Sequence, residues 1–427
     1  MRVVLATLGS FGDLYPMLAI GQALRARGHD PIIAAPPVYA ARVAALGLAF
    51  HPLRPDFPPD VLMEIFGDAV HGGRRLFLDL VFPHVRETYE DLLDATEGAD
   101  ALVVGELVHV ARLVAARRSL PWANAMLAPA TMMSALDPSV LTWFPAGYHL
   151  RHLGAWPQRL LFRLIRRQTT RWAGPLLALQ REMGVGTGDI MFTDKFSPDL
   201  VLALFPRVFG APQRDWPAAS IQTGFPFFAQ EASPETATRI DAFLAAGSPP
   251  VVFTLGTTVV YLAHDFYQIA ADTARALGRR AILLMGKNPP PDAPADQVLA
   301  LDYAPHSSLF PHAAAVVQHG GVGGCAEALR AGVPVLTIPF AFDQPDNAMR
   351  MRRMGVGAVL PHTKVNRATL EQSLRAVLDD TGLAARARAV ARAIDPEADM
   401  ARTVAAIEAL QDSPAQRSSA TLPFAER

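Results

Sequence analysis

Short runs of apolar residues recur along this chain, each followed by a loop and then by apolar residues at helical spacing. A chain built that way folds as parallel strands joined by helices. Residues 3–7 make the first run, and residues 16–27 carry the helical spacing. Gly28-His29-Asp30 ends that helix, and residues 31–35 supply the next buried strand. Strands at 101–104 and 122–126 continue the series, alternating with helical stretches at 89–95 and 111–118, as in a doubly wound α/β sheet. At 205–230 the composition turns to proline, glycine and aromatics, including Gly224-Phe225-Pro226-Phe227-Phe228, which marks an interdomain connection. A second series then begins, with strands at 251–255, 281–285, 298–301, 315–318 and 335–338 and helices at 265–277, 323–331 and onward through 410. The expected division is 1–215, a connection at 216–248, a second domain with C-terminal helices at 249–411, and a polar disordered tail at 412–427.

With 427 residues and 51% hydrophobic content, the chain can bury the two cores this division needs. A formal net charge of -1 gives no electrostatic footprint for nucleic acid, so any polyanion must be bound locally. The single cysteine, Cys325, excludes an internal disulfide framework and suits a reducing compartment, so a cytoplasmic location is expected. Residues 1–9 read as a strand and not as an export signal. Arg, Asp, Pro or Gly interrupts every apolar segment before the ~20 residues that a membrane span requires, so the protein is expected to be soluble or at most peripheral.

The segment Gln318-His319-Gly320-Gly321-Val322-Gly323-Gly324-Cys325-Ala326-Glu327 lies between a buried strand and a helix. Its glycines let backbone N–H groups approach an anion at the helix start, where the helix dipole is positive, and His319 can donate to a phosphate oxygen. Glu327 is placed to accept from ribose hydroxyls. By itself the segment could equally be a tight turn whose glycines serve packing.

Its neighbours make the difference. The run from Tyr303-Ala304-Pro305-His306 to Pro339-Phe340-Ala341-Phe342-Asp343-Gln344 resembles the nucleotide-sugar signature of family 1 glycosyltransferases. Gly9-Ser10-Phe11-Gly12-Asp13-Leu14-Tyr15-Pro16 resembles the acceptor-side loop of their bacterial and sterol-glucosyltransferase branch, and the rhamnolipid rhamnosyltransferases are the nearest pattern. The resemblance implies a GT-B fold, two Rossmann-like domains facing across a cleft, with acceptor in the first and nucleotide sugar in the second. It further implies that Tyr303 stacks on the base with His306 beside it, that His319, Gly321, Gly323 and Gly324 hold the diphosphate, that Glu327 takes the ribose, and that Asp343 with Gln344 reads sugar hydroxyls. Gly324 stands where many relatives have serine or threonine, so the backbone amide must serve there, with Thr257 or Thr258 as helpers. Tyr303 replaces a common tryptophan but still offers a ring face.

In this reading Asp13 is the general base, since an inverting displacement needs a proton acceptor beside the attacking hydroxyl. The competing role is capping a helix that begins near Pro16. His29 and His109 are weaker rivals for the base. No Asp-x-Asp triplet occurs and no Cys/His cluster suggests zinc, so no metal cofactor is expected, and a UDP- or dTDP-sugar is the implied donor, rhamnose or glucose leading. The implied acceptor is a small hydrophobic alcohol such as a hydroxyacyl lipid, sterol or polyketide. Residues 156–172 mix five arginines with Leu160, Leu161, Phe162, Leu164 and Ile165; the segment could rest on an anionic membrane, although packing on its own domain is the favoured reading. A sugar-nucleotide epimerase of the same fold and a noncatalytic partner subunit are the alternatives.

Overall fold

A computed structural model describes residues 1–185, 189 and 192–412; the remainder of the expected tail, 413–427, lies outside the described residues. The first sheet contains β1 (Arg2–Ala6), β2 (Asp30–Ala35), β3 (Ala49–Pro52), β4 (Ala101–Gly105), β5 (Trp122–Met126), β6 (Leu200–Ala203) and β7 (Ser220–Gln222), in the order β3-β2-β1-β4-β5-β6-β7. The second contains β8 (Val251–Thr254), β9 (Ala281–Leu284), β10 (Val298–Leu301), β11 (Ala315–Gln318), β12 (Val335–Thr337) and β13 (Gly357–Val359), in the order β10-β9-β8-β11-β12-β13. All pairings are parallel; Val4 lies between Ile32 and Leu102, and Val252 between Ile282 and Val316. Helices cover both faces of each sheet, which is why central strands such as β4 and β8 are buried along their whole length and read as unbroken apolar runs. The expected two-domain α/β architecture is what the chain adopts.

Strand order decides where chemistry can occur. In each sheet the chain works outward in one direction from its first strand and then crosses to that strand's other side, so the reversal falls between β1 and β4 and between β8 and β11. Ligands of open α/β sheets bind outside the carboxyl ends of strands at such reversals. The loops after β1, β4, β8 and β11 are therefore the ones to inspect.

Several elements differ from the sequence expectation. Helix α1 (Phe11–Ala26) starts well before Pro16, because Ser10 caps it and a reciprocal bond from Ser10 N–H to Asp13 completes a capping box. Pro16 is thus interior to the helix, at the cost of one backbone hydrogen bond to the Gly12 carbonyl. Strand β7 falls inside 216–248, the stretch read as a connection, and adds an edge to the first sheet; its short, partly exposed run leaves no apolar signal. The arginine-rich helix α2 (Ala155–Trp172) lies in the first half, and α3 (Val322–Ala331) and α4 (Gln344–Arg353) follow β11 and β12 in the second. The last long helix, α5 (Pro396–Glu408), leaves the second domain to which 249–411 was assigned and packs back on α1. There Val404, Ile407 and Leu410 join the core with Leu14, Leu18 and Val3. His29 and Arg27 grip Glu408 at 2.7 and 2.8 Å, a structural tie that removes His29 from the candidates for catalysis. No helix among the described residues is long and apolar enough to cross a membrane.

Candidate functional site

The expected donor residues begin at the turn between β11 and α3. Gly320 takes a φ of +93°, and a Cβ there would lie 2.8 Å from Thr337 Cγ2, so only glycine makes the turn. Gly321 is the N-cap and offers no side chain to the helix, which leaves the first-turn amides of Val322, Gly323 and Gly324 facing out of the helix end. His319 lies against this end: a Cβ on Gly321 would come within 2.6 Å of His319 Nε2, and one on Gly256, in the loop after β8, within 2.3 Å of Cε1. Its Nδ1 is buried without a partner. Burial, with His306 nearby, pushes the His319 pKa down to about 3, and burial pushes His306 down to about 4, so both rings are neutral in the empty site. A neutral imidazole still donates one N–H to a phosphate oxygen. Thr257 and Thr258 follow Gly256 in the same loop, and the β8–β11 pairing brings that loop beside His319.

Gly324 acquires a physical explanation. A Cβ at that position would approach Gln318 Oε1 to 2.2 Å, so a serine or threonine has no room while Gln318 is there. Gln318 is fully buried, donates to Cys325 Sγ at 3.6 Å and leaves Oε1 without a partner; the spacing of glycines gave no hint of it.

Other expected donor residues are held more firmly than their sequence positions suggest. Glu327 is half-buried and accepts from Arg330 at 2.6 Å; burial raises its pKa and Arg330 opposes the rise. His306 stacks on Phe310 with ring centroids 4.5 Å apart. Tyr303 is 43% exposed, leaving a ring face accessible, while its hydroxyl donates to Gln230 Oε1 at 2.6 Å. Arg42 of the first domain also reaches Gln230, at 2.9 Å, so this wall is shared between domains. Gln344 is buried, and its Oε1 accepts from the N–H groups of Phe340 and Ala341 at 2.9 and 3.1 Å; it shapes the loop after β12 and has only its amide nitrogen to offer a sugar.

Across the cleft, Asp13 lies in the first turn of α1. Its Oδ2 accepts from Ser10 N at 2.9 Å, and the closeness of that carboxylate explains Gly9, where a Cβ would come within 2.4 Å of Oδ2. Burial raises its pKa to about 6; the Ser10 hydrogen bonds oppose the rise and Glu106, in the loop after β4, adds to it. Asp343 is raised to about 7, again by burial first, with Asn347 donating at 2.7 Å in opposition and the charges of Asp13 and Glu106 adding. Three carboxylates from three separate segments, all following carboxyl ends of strands, thus act on one another by charge. Glu106 was missed because nothing local in its sequence marks it.

An apolar wall adjoins them. Phe342, at φ +56°, packs on Phe66 with centroids 4.6 Å apart, which carries a residue of the second domain into the apolar cluster of the first. His109 is buried against Phe77 and Phe82, its Nε2 has no partner, and burial lowers its pKa to about 3. Such a ring is a poor proton acceptor, so His109 does not compete with Asp13. Among the described residues, no three His, Cys, Asp or Glu side chains group closely enough to hold a metal ion.

Known proteins resemble this chain in sequence and fold. The family model for the glycosyltransferase family 28 N-terminal domain matches residues 3–104, and that for the erythromycin biosynthesis protein CIII-like C-terminal domain matches residues 284–410. The chain is 33% identical to an O-mycaminosyltylonolide 6-deoxyallosyltransferase from Streptomyces fradiae, covering 96% of this chain and 97% of the other. Identity to a vancomycin aglycone glucosyltransferase from Amycolatopsis orientalis is 31%, over 84% and 85% of the two chains. The spinosyn rhamnosyltransferase SpnG, solved with thymidine diphosphate, superposes with a TM-score of 0.67 at 23% identity, over 95% of this chain and 100% of that one.

Proposed function

The chain belongs to the family 1-like glycosyltransferases of GT-B fold, and from that premise we propose that it moves a hexosyl group, with inversion, from a dTDP- or UDP-sugar to a hydroxyl of a small apolar acceptor. The observation that carries the reading is that Asp13 of the first domain acts by its charge on Asp343 of the second, while Asn347 joins Asp343 to the Gly320 carbonyl at the turn into α3. Ionised Asp13 accepts the proton of the acceptor hydroxyl as its oxygen attacks the anomeric carbon. The bond from that carbon to the diphosphate breaks on the far side. The departing charge meets the Val322, Gly323 and Gly324 amides and the His319 N–H, donors preorganised for it and commonly worth ~10²–10³ in rate apiece. Attack and departure on opposite faces give inversion. Asp343 accepts from sugar hydroxyls, and Tyr303 stacks on the base.

A thymidine nucleotide is favoured over uridine by the thymidine diphosphate bound in SpnG, and rhamnose and glucose remain the leading sugars. The acceptor class is drawn from the aromatic wall around Phe66 and Phe342 and from relatives whose names denote antibiotic substrates, so a polyketide-like alcohol leads over a hydroxyacyl lipid or sterol. Such acceptors partition into lipid, so peripheral contact with a bilayer suits the reading.

The test is a product-mass screen of dTDP- and UDP-linked rhamnose and glucose against aglycone, hydroxyacyl and sterol alcohols, repeated with chelator. One hexosyl addition, undiminished by EDTA, is expected, and His319→Ala should lower kcat/KM for the donor about 10²- to 10³-fold, as loss of one preorganised donor implies. Conversion of donor in the absence of acceptor would identify an epimerase instead, and loss of turnover in EDTA restored by magnesium would overturn the metal-free mechanism.

A further inference from the structure

Exposed apolar side chains are concentrated in one part of this molecule. Trp143, Phe144, Leu153, Trp156, Leu160 and Leu164 all reach solvent, and Trp156, Leu160 and Leu164 are 65%, 47% and 59% exposed. Single exposed hydrophobic residues are ordinary, but a contiguous patch marks an interaction site. The last three stand four residues apart on α2, one above the other on its outer face. Leu161, Phe162 and Ile165, which point the other way, are half-buried, and Gln158 ties that side to the Gly147 carbonyl at 3.0 Å. The favoured expectation for this helix therefore holds for only one of its faces: it packs inward and still presents leucine and tryptophan to water.

Charge indicates what meets that outer face. Arg159, Arg163 and Arg167 follow Trp156, Leu160 and Leu164 at three-residue spacing, and among the described residues none of the three has an ion-pair partner; Arg166 is paired with Asp189. Between Asp137 and Glu182 the sequence contains no acidic residue but seven arginines, in a chain whose net charge is -1. A second copy docked symmetrically on this face would oppose arginine to arginine. An acidic protein would need a carboxylate matched to each buried guanidinium. Lipid headgroups are mobile and supply phosphate wherever a guanidinium reaches, while the arginine stems lie along apolar surface.

We propose that the outer face of α2, with the stacked Trp143–Phe144 pair, is a docking surface for an anionic phospholipid bilayer. Tryptophan and leucine enter the boundary of the acyl chains and the arginines meet headgroup phosphates. The patch reaches the second domain, since Tyr148, just before α2, accepts from Arg353 at the C-terminal end of α4 at 3.2 Å.

Vesicle co-sedimentation of the full chain needs neither donor nor acceptor, so its outcome is separate from that of the transfer reaction. The protein should bind vesicles of phosphatidylcholine mixed with phosphatidylglycerol, fail to bind phosphatidylcholine alone, and lose affinity as added salt shortens the screening length. Arg163→Glu combined with Arg167→Glu should weaken binding at least about 25-fold, since each arginine near an anionic surface is worth roughly fivefold. Trp156→Ser with Leu160→Ser should weaken it as well, with an unchanged Tm because these side chains are exposed. Absence of wild-type binding to the mixed vesicles would overturn the proposal and leave the face to a protein partner. Wild-type binding that both double variants retain would overturn it, as would a dimer that these substitutions dissociate in the absence of lipid.

Discussion

Asp13 does two jobs with one carboxyl group. Oδ2 closes the capping box of α1 through Ser10, and the same group is the proton acceptor proposed for transfer. Asparagine can keep the first job, because its carbonyl oxygen accepts from Ser10 N–H, but it cannot do the second. Asp13→Asn should therefore lower kcat by ~10²–10⁴ while the fold persists. The folded pKa of about 6 lies above the ordinary 3.8, so the group favours the folded state fully below about pH 3.8 and loses that contribution as pH rises through 6. Ionised Asp13 is thus a cost at pH 8, and Asp13→Asn should melt no lower than wild type there, the comparison turning against the variant toward pH 4. Activity runs the opposite way: wild-type kcat/KM should fall on the acid side with an apparent pKa near 6, displaced upward from that of a free carboxylate. A Tm series against pH and a pH–rate profile check both halves. A folded Asp13→Asn enzyme that keeps more than about a tenth of wild-type kcat would exclude the base role.

At the scale of the element, the donor loop separates two kinds of glycine. Gly320 has a left-handed φ and no room for a Cβ beside Thr337 and the Gln344 carbonyl, whereas a Cβ at Gly323 would meet only Phe225, at 4.0 Å. Gly320→Ala should cost more than about 1 kcal/mol of stability and weaken donor binding with it, because the turn aims the amides of α3. Gly323→Ala keeps its amide in place and gains helix propensity, so its stability should be neutral or higher. Thermal melts and nucleoside diphosphate titrations of the two variants distinguish strain in the turn from a general intolerance of side chains. The glycine-rich spacing was enough to locate this loop, but not to show which glycine closes the turn, because that depends on Thr337 and Gln344 arriving from later in the chain.

Across the whole molecule, α4 holds the domains together while it carries the donor site. Asp343 precedes it, and Asn347 donates to the Gly320 carbonyl at 3.0 Å. On its other side Arg350, 2% exposed, bonds Asp346 at 2.7 Å and Asp137 of the first domain at 2.5 Å, and Asp346 accepts from Val140 N at 3.1 Å. Arg350→Met would leave Asp346 buried without its cation and Asp137 with Arg353 alone, at 3.2 Å, and should destabilise by about 3–5 kcal/mol. Asp137→Asn should cost less, since Arg350 keeps Asp346. Denaturant unfolding of the two variants measures the difference, and equal, small losses would show that the bridge contributes little.

Much of this protein was legible in its sequence. Buried parallel strands are marked by short unbroken apolar runs, helices by their spacing, and the strand-to-helix turn of the candidate site by glycines between one of each, because each of these signals lies within a few residues. The same locality explains what was not legible. Edge strands such as β3 and β7 are half-exposed and lack the apolar run; α5 looks like any helix of the second domain until its Val404 and Ile407 meet α1. Glu106, Gln230, Gln318 and Arg350 are unremarkable in their own neighbourhoods. Glu106, Gln230 and Arg350 acquire roles from groups tens to hundreds of residues away, through Asp13, Tyr303 and Asp137, and Gln318 acquires its role only when the strand-to-helix turn folds Gly324 back over it. Sequence alone determined which central segments become buried strands and where glycines turn the chain between them, since backbone sterics and apolar periodicity act over a single turn. Only the tertiary structure decided which charges share one cleft, because burial and charge proximity, which set their pKa values and pairings, exist only once distant loops have come together.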